Sequence, residues 1–120
     1  MVAYTMLDLA IKKASQISFK KGEKRLYSIV TDKKGNIVGE SANNYCKSHT
    51  IQAYYAKRVK LEDKIFLHAE ISALIRAKGK GYKISIARVN SKGIPCNAKP
   101  CPICEMALKE HGIKQVEYTL

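Results

Sequence analysis

Two stretches of this chain each begin a helix with chemically active side chains, and one strand lies between them. The first is "IFLHAEISALIRAKGKG", in which His68, Ala69 and Glu70 precede the apolar stripe Ile71, Leu74 and Ile75, and Gly79 or Gly81 ends the pattern. The second is "PCPICEMALKEHG", with Cys101 and Cys104 in its opening turn and Gly112 placed as its C-terminal cap. Between them "YKISIARVN" reads as a strand carrying Ile84, Ile86 and Val89. Helices separated by one strand and packed parallel on a sheet bring both of their N-termini to the same end of it. That order constrains the fold more than any other feature of the chain.

The remaining segments supply the rest of the sheet. Residues 2–19 carry Tyr4, Leu7, Ile11, Ala14 and Ile17 at helical spacing and predict a first amphipathic helix. "KKGEKR" breaks it. Leu26 to Thr31 and Ile37 to Ser41 read as the arms of a hairpin, with the Asp, Gly and Asn of "DKKGN" at its turn. Asn43 to Lys64 reads as a loop and a short helix whose apolar residues are Ile51, Tyr54, Tyr55 and Val59. "SKGIPCNAK" reads as a loop and "IKQVEYTL" as a closing strand, so that residues 83–119 form a strand–helix–strand unit expected to be a right-handed parallel crossover. The expectation is an α/β fold of one domain, residues 1–120, in which a mixed sheet is sandwiched between helices in three layers.

The two helix starts carry the chemistry. Residues i and i+3 share a helix face, so Cys101 and Cys104 can hold one ion, and the free N–H groups of a first turn favour thiolates there. Alone, Cys-x-x-Cys also fits a redox dithiol. His68, from a neighbouring helix start, adds a third ligand. One imidazole and two thiolates leave a tetrahedral zinc ion with an open position, the pattern of a catalytic site. Glu70 then gains a role, since water activated by zinc needs an acceptor for its proton. Two alternatives use Cys96. The spacing Cys96-x4-Cys101-x2-Cys104 is that of an iron–sulfur loop, but no fourth cysteine follows Cys104. Cys96 as a fourth zinc ligand closes the site and leaves Glu70 without a task. Otherwise Cys46 and Cys96 are ordinary small apolar residues.

The formal net charge is +12, with 22 Lys and Arg against 10 Asp and Glu, which suits a phosphorylated or polyanionic partner. The stretch "NNYCKSHTIQAYYAKRVK" mixes Tyr45, Tyr54 and Tyr55 with Lys47, Lys57, Arg58 and Lys60, a pattern that can stack on unpaired bases or form a lid packed on the core. His49 within it is a candidate contact to phosphate or base. No apolar run is long enough to span a membrane. In "MVAYTMLDLAIKK" Asp8 interrupts the apolar stretch and the lysines follow it, unlike a signal peptide. The expected compartment is therefore the cytoplasm.

His68-Ala69-Glu70 with Pro100-Cys101-x-x-Cys104 resembles the paired motif of the zinc-dependent cytidine deaminase-like superfamily, as does the order of elements along most of the chain. The likeness is nearest to small deoxycytidylate or cytidine deaminase-like proteins of phages. It implies that His68, Cys101 and Cys104 bind one Zn²⁺, that Glu70 shuttles protons, that Asn43 (with Asn44 as its rival) hydrogen-bonds the sugar, and that the backbone N–H of Ala69 contacts the base. It further implies hydrolytic deamination, cytosine to uracil in a nucleotide such as dCMP. Its alternatives are cytosine or adenine within single-stranded DNA or RNA, including tRNA, and a zinc-bearing module without catalysis. Many relatives add a helix and a fifth strand beyond the point where this chain stops at Leu120. The open sheet edge that this leaves favours a covering partner or an oligomer, and a homo-oligomer is expected.

Overall fold

A computed structural model describes residues 5–61 and 66–120. Four helices and seven strands follow in the order α1 (Met6–Ser15), β1 (Arg25–Thr31), β2 (Ile37–Ala42), β3 (Asn44–Ser48), α2 (Thr50–Arg58), β4 (Phe66–Leu67), α3 (Ala69–Ala77), β5 (Lys83–Val89), β6 (Pro95–Cys96), α4 (Pro102–Glu110) and β7 (Gln115–Tyr118). The main sheet runs β2-β1-β5, with β1 antiparallel to both neighbours. On the far side of β5, β7 pairs parallel along Lys83 to Ile86, and β6 pairs antiparallel at Arg88 and Val89. The parallel β5–α4–β7 unit is the one expected from the sequence. A second, two-stranded sheet joins β3 to β4.

The period of two along the strands sorts their side chains into two cores. Leu26 and Val30 of β1 and Ile84 and Ile86 of β5 face α2, α3 and α4. Tyr27, Ile29, Ala87 and Val89 face the other way and pack on Ala10 and Ala14 of α1. A mixed sheet with helices on both faces is the α/β sandwich that the sequence predicts.

Several boundaries differ from expectation. The first helix is shorter than residues 2–19. Thr5 caps it, with Asp8 bonding back to the Thr5 N–H, and it ends at Gln16. Tyr4 lies outside the described residues. The expected loop after Asn43 contains β3, and the second expected helix begins only at Ala69, because Phe66 and Leu67 pair with β3. Part of the expected loop "SKGIPCNAK" is β6. Two-residue strands carry no periodicity, so the sequence gives them no signature.

Two glycines set helix positions. A Cβ on Gly39 of β2 would stand 2.4 Å from the carbonyl oxygen of Ala73 and 2.7 Å from the nitrogen of Ala77, so only glycine lets α3 lie this close to the sheet. Gly112 has φ +79°, and the bonds Gly112 N–H to Lys109 O (3.2 Å) and Ile113 N–H to Leu108 O (3.0 Å) close α4 as a Schellman motif. The chain then turns directly into β7.

Candidate metal centre and active site

His68 and Cys101 occupy equivalent places: each is the N-cap residue of its helix, α3 or α4. Side chains at that position usually bond back to the helix. Neither does so here, and the two turn toward each other instead. Cys101 is extended (φ −72°, ψ 168°) because Pro102 follows it, and Pro102 suits the first helical position because its missing N–H is not needed there.

The His68 Nδ1 lies 3.3 Å from the Cys104 Sγ and 3.5 Å from the Cys101 Sγ. All three ligand atoms fall within 4.8 Å of one another, and Cys104 is fully buried. A tetrahedral zinc ion with Zn–N of about 2.0 Å and Zn–S of about 2.3 Å sets nitrogen and sulfur about 3.5 Å apart. The donor set and its spacing therefore fit a metal ion, with the imidazole turned so that Nδ1 is the ligating nitrogen. Cys96 is held in β6 opposite Arg88 and is not part of the cluster, and Cys46 is exposed.

The thiols act as a pair. The hydrogen bond from Cys104 lowers the Cys101 pKa. The same bond and burial raise that of Cys104. One proton is thus lost easily and the other is held, as befits two sulfurs that a divalent cation would neutralise together. Glu70, only 5% exposed, lies in the first turn of α3. Burial pushes its carboxyl pKa up, the direction that suits a group passing protons near neutral pH.

His68, Glu70 and Cys101 line a cleft of about 230 Å³. Leu26, Leu61, Ala98 and Ile103 supply apolar walls, and Lys24, Arg88 and Lys99 bring positive charge. Glu70 is the one carboxylate among the described lining residues. The cations Lys24 and Arg88 and the amide Asn97 escaped the sequence reading, because strand pairing and a loop bring them in from separate segments. The loop ahead of Cys101 is tied down by Thr119, whose carbonyl accepts from Ala98 N–H at 2.9 Å and whose hydroxyl donates to the Cys96 carbonyl.

The other expected contacts divide. Asn43 lines the cleft. Its Oδ1 accepts from Leu26 N–H at 3.3 Å and its Nδ2 donates to the Lys24 carbonyl at 3.1 Å, leaving one N–H and a lone pair of the amide for a ligand. Asn44 instead accepts from Cys46 N–H in a local turn. Ala69 is fully buried at the first helical position, where the amide has no acceptor within the helix. His49 stands outside the cleft lining. It caps α2, its Nδ1 accepting from Ile51 N–H at 3.1 Å. The tyrosines divide as well: Tyr45 lines the cleft, Tyr55 is buried in the core, and exposed Tyr54 packs under Arg58, whose guanidinium binds Glu110 of α4.

No helix among the described residues is long and apolar enough to cross a membrane. No curated protein matches the chain. The family model for the cytidine and deoxycytidylate deaminase zinc-binding region matches residues 2–120. That match spans both helix starts and nearly all of the chain, so this protein belongs to the cytidine and deoxycytidylate deaminase zinc-binding family.

Proposed function

We propose that the chain is a zinc-dependent hydrolytic deaminase that converts cytosine to uracil in a nucleotide such as dCMP. The observation that carries this reading is the convergence of His68, Cys101 and Cys104 on one point, with the buried carboxyl of Glu70 beside them. His68 Nδ1 and the two sulfurs hold the metal. When bound there, zinc supplies the Lewis acidity that makes water acidic near neutral pH.

Glu70 accepts the proton of the attacking water and delivers it to the ring nitrogen next to the amino-bearing carbon. It then takes the remaining proton from the hydroxyl now on that carbon and gives it to the amine, which leaves as ammonia while a carbonyl stays on the ring. The Ala69 N–H and the free capacity of the Asn43 amide orient base and sugar. Lys24, Arg88 and Lys99 attract the phosphate. The apolar walls exclude bulk water and strengthen these contacts.

The test combines zinc content with ammonia release from nucleosides, nucleotides and single-stranded oligonucleotides. Turnover of dCMP with one zinc per chain is the expected result. Full zinc with no turnover of any substrate leaves the non-catalytic module instead.

A second reading, a base within a single strand, is favoured by one observation. Through Lys24 the cleft adjoins two further depressions, one bordered by Lys20 and Tyr45 and the other by Phe19 and Arg88. Turnover of oligonucleotides alone selects this reading, with the strong salt dependence of phosphate contacts.

The outer edge of β7 pairs with no strand among the described residues, and Val116 and Leu120 are exposed there, which supports a homo-oligomer. Light scattering tests it, and a monomeric mass at working concentration overturns it.

A further inference from the structure

The helix α2 carries a polar residue on its buried face. Gln52, Tyr55 and Ala56 are its buried positions, at the i, i+3, i+4 spacing of a core stripe. Gln52 is fully buried. A primary amide has this environment only where its polar atoms are used. Its Oε1 accepts the backbone N–H of His68 at 3.2 Å.

That N–H has a special place. His68 stands between β4 and α3, so its N–H is outside the helical ladder, while its carbonyl accepts from Ser72 N–H at 3.0 Å. Gln52 thereby fixes one side of the His68 residue and the helix fixes the other. With both neighbouring peptide planes held, the direction of the His68 Cα–Cβ bond is set, and the ring is aimed at the sulfurs. At the C-terminal end of α2, Arg58 Nη1 reaches Glu110 Oε1 of α4 at 2.7 Å. One helix therefore ties together the starting point of His68 and the helix that carries both cysteines. His49, as the N-cap of α2, sets the start from which Gln52 faces inward.

We infer that Gln52 is a positioning residue of the metal centre: by holding the His68 backbone it sets the imidazole in ligating geometry before the ion arrives. The assignment rests on the zinc reading above. It gives the segment "HTIQAYYAKR" a role in building the site, separate from any contact with substrate.

The test compares wild type, Gln52→Leu and Gln52→Glu by chelator competition for Zn²⁺, by the visible spectrum of the Co²⁺-substituted protein, and by thermal unfolding of the metal-free forms. Gln52→Leu removes the acceptor and is expected to weaken zinc about 10- to 100-fold, the usual effect of losing a group that orients a ligand. Its Co²⁺ spectrum should shift as the histidine ligand moves. Gln52→Glu keeps an oxygen within the same reach and should restore affinity to within a few-fold of wild type. If Gln52→Leu unfolds, loss of the acceptor is read instead from Gln52→Met. A leucine or methionine variant that melts earlier yet keeps wild-type zinc affinity and Co²⁺ spectrum overturns the assignment and leaves Gln52 a purely structural residue. A wild-type chain that takes up no zinc overturns the zinc reading itself, a result distinct from any difference among variants.

Discussion

The Nδ1 of His68 and the Sγ of Cys104 stand 3.3 Å apart, although 36 residues separate them in the chain. Each is presented by the first turn of a different helix, and β5 runs between those helices in sequence. The site is therefore a relation between α3 and α4, and whatever shifts either helix shifts the metal centre.

Gly39 is where that dependence is most exposed. Gly39→Ala puts a methyl group against the backbone of Ala73 and Ala77, contacts that no rotamer can relieve. The expected loss is about 1–3 kcal/mol, as in other overpacked cores. Zinc affinity should fall with it, because α3 carries His68. Urea denaturation and chelator competition check both, and wild-type values in each would mean that α3 does not rest on Gly39.

Glu70 separates metal binding from chemistry. Glu70→Ala is expected to keep wild-type zinc content and to lose at least about 10²–10⁴-fold in turnover, the range for a group that transfers protons in the transition state. Metal analysis and ammonia release measure the two effects. Turnover at the wild-type rate would remove Glu70 from the mechanism.

Lys99 is exposed at the cleft rim and tests the charge. Lys99→Ala should raise KM for dCMP about 10-fold with little change in kcat, since a phosphate contact acts equally on ground and transition states. Deoxycytidine, which lacks the phosphate, should be turned over alike by both forms. Equal losses on the two substrates would assign Lys99 to the base or to the fold.

Two carboxylates, Asp32 at the opposite end of the sheet and Asp8 on α1, contribute to acid stability. Asp32 has its pKa lowered from 3.8, chiefly by the Asn36 N–H, and Asp8 has its pKa lowered chiefly by the Thr5 N–H. A folded-state pKa below the unfolded one gives stability that is complete above the unfolded value and is lost as pH falls through the folded value. Stability should therefore decline below about pH 4. Asp8→Asn with Asp32→Asn should flatten that decline, which denaturant titrations at several pH values would register. An unchanged slope would place the acid sensitivity elsewhere.

What could be read from the chain was local. The spacing of apolar residues marked α3, β5 and α4, and Gly112 marked the end of α4, because these signals lie within one or two turns of backbone. His68, Glu70, Cys101 and Cys104 stood out by residue type at predicted helix starts, and the structure brings His68, Cys101 and the buried Cys104 together, with His68, Glu70 and Cys101 lining one cleft. His49 was singled out by type as well, but its ring is used in capping α2. Residue type alone does not reveal which partner a side chain has already taken.

The sequence by itself determined the alternation of strands and helices and the donor set for a metal, since both follow from side-chain chemistry and short-range periodicity. Only the tertiary structure decided the rest. Strands β3 and β4 exist through pairing with each other across α2. Lys24 and Arg88 meet at the cleft because β1 and β5 pair. Gln52 shows no sign of its role in the sequence until α2 docks and the His68 N–H becomes its partner. Each of these depends on contacts between residues far apart in the chain, and such contacts form only when burial of a common core offsets the entropy of closing the loops between them.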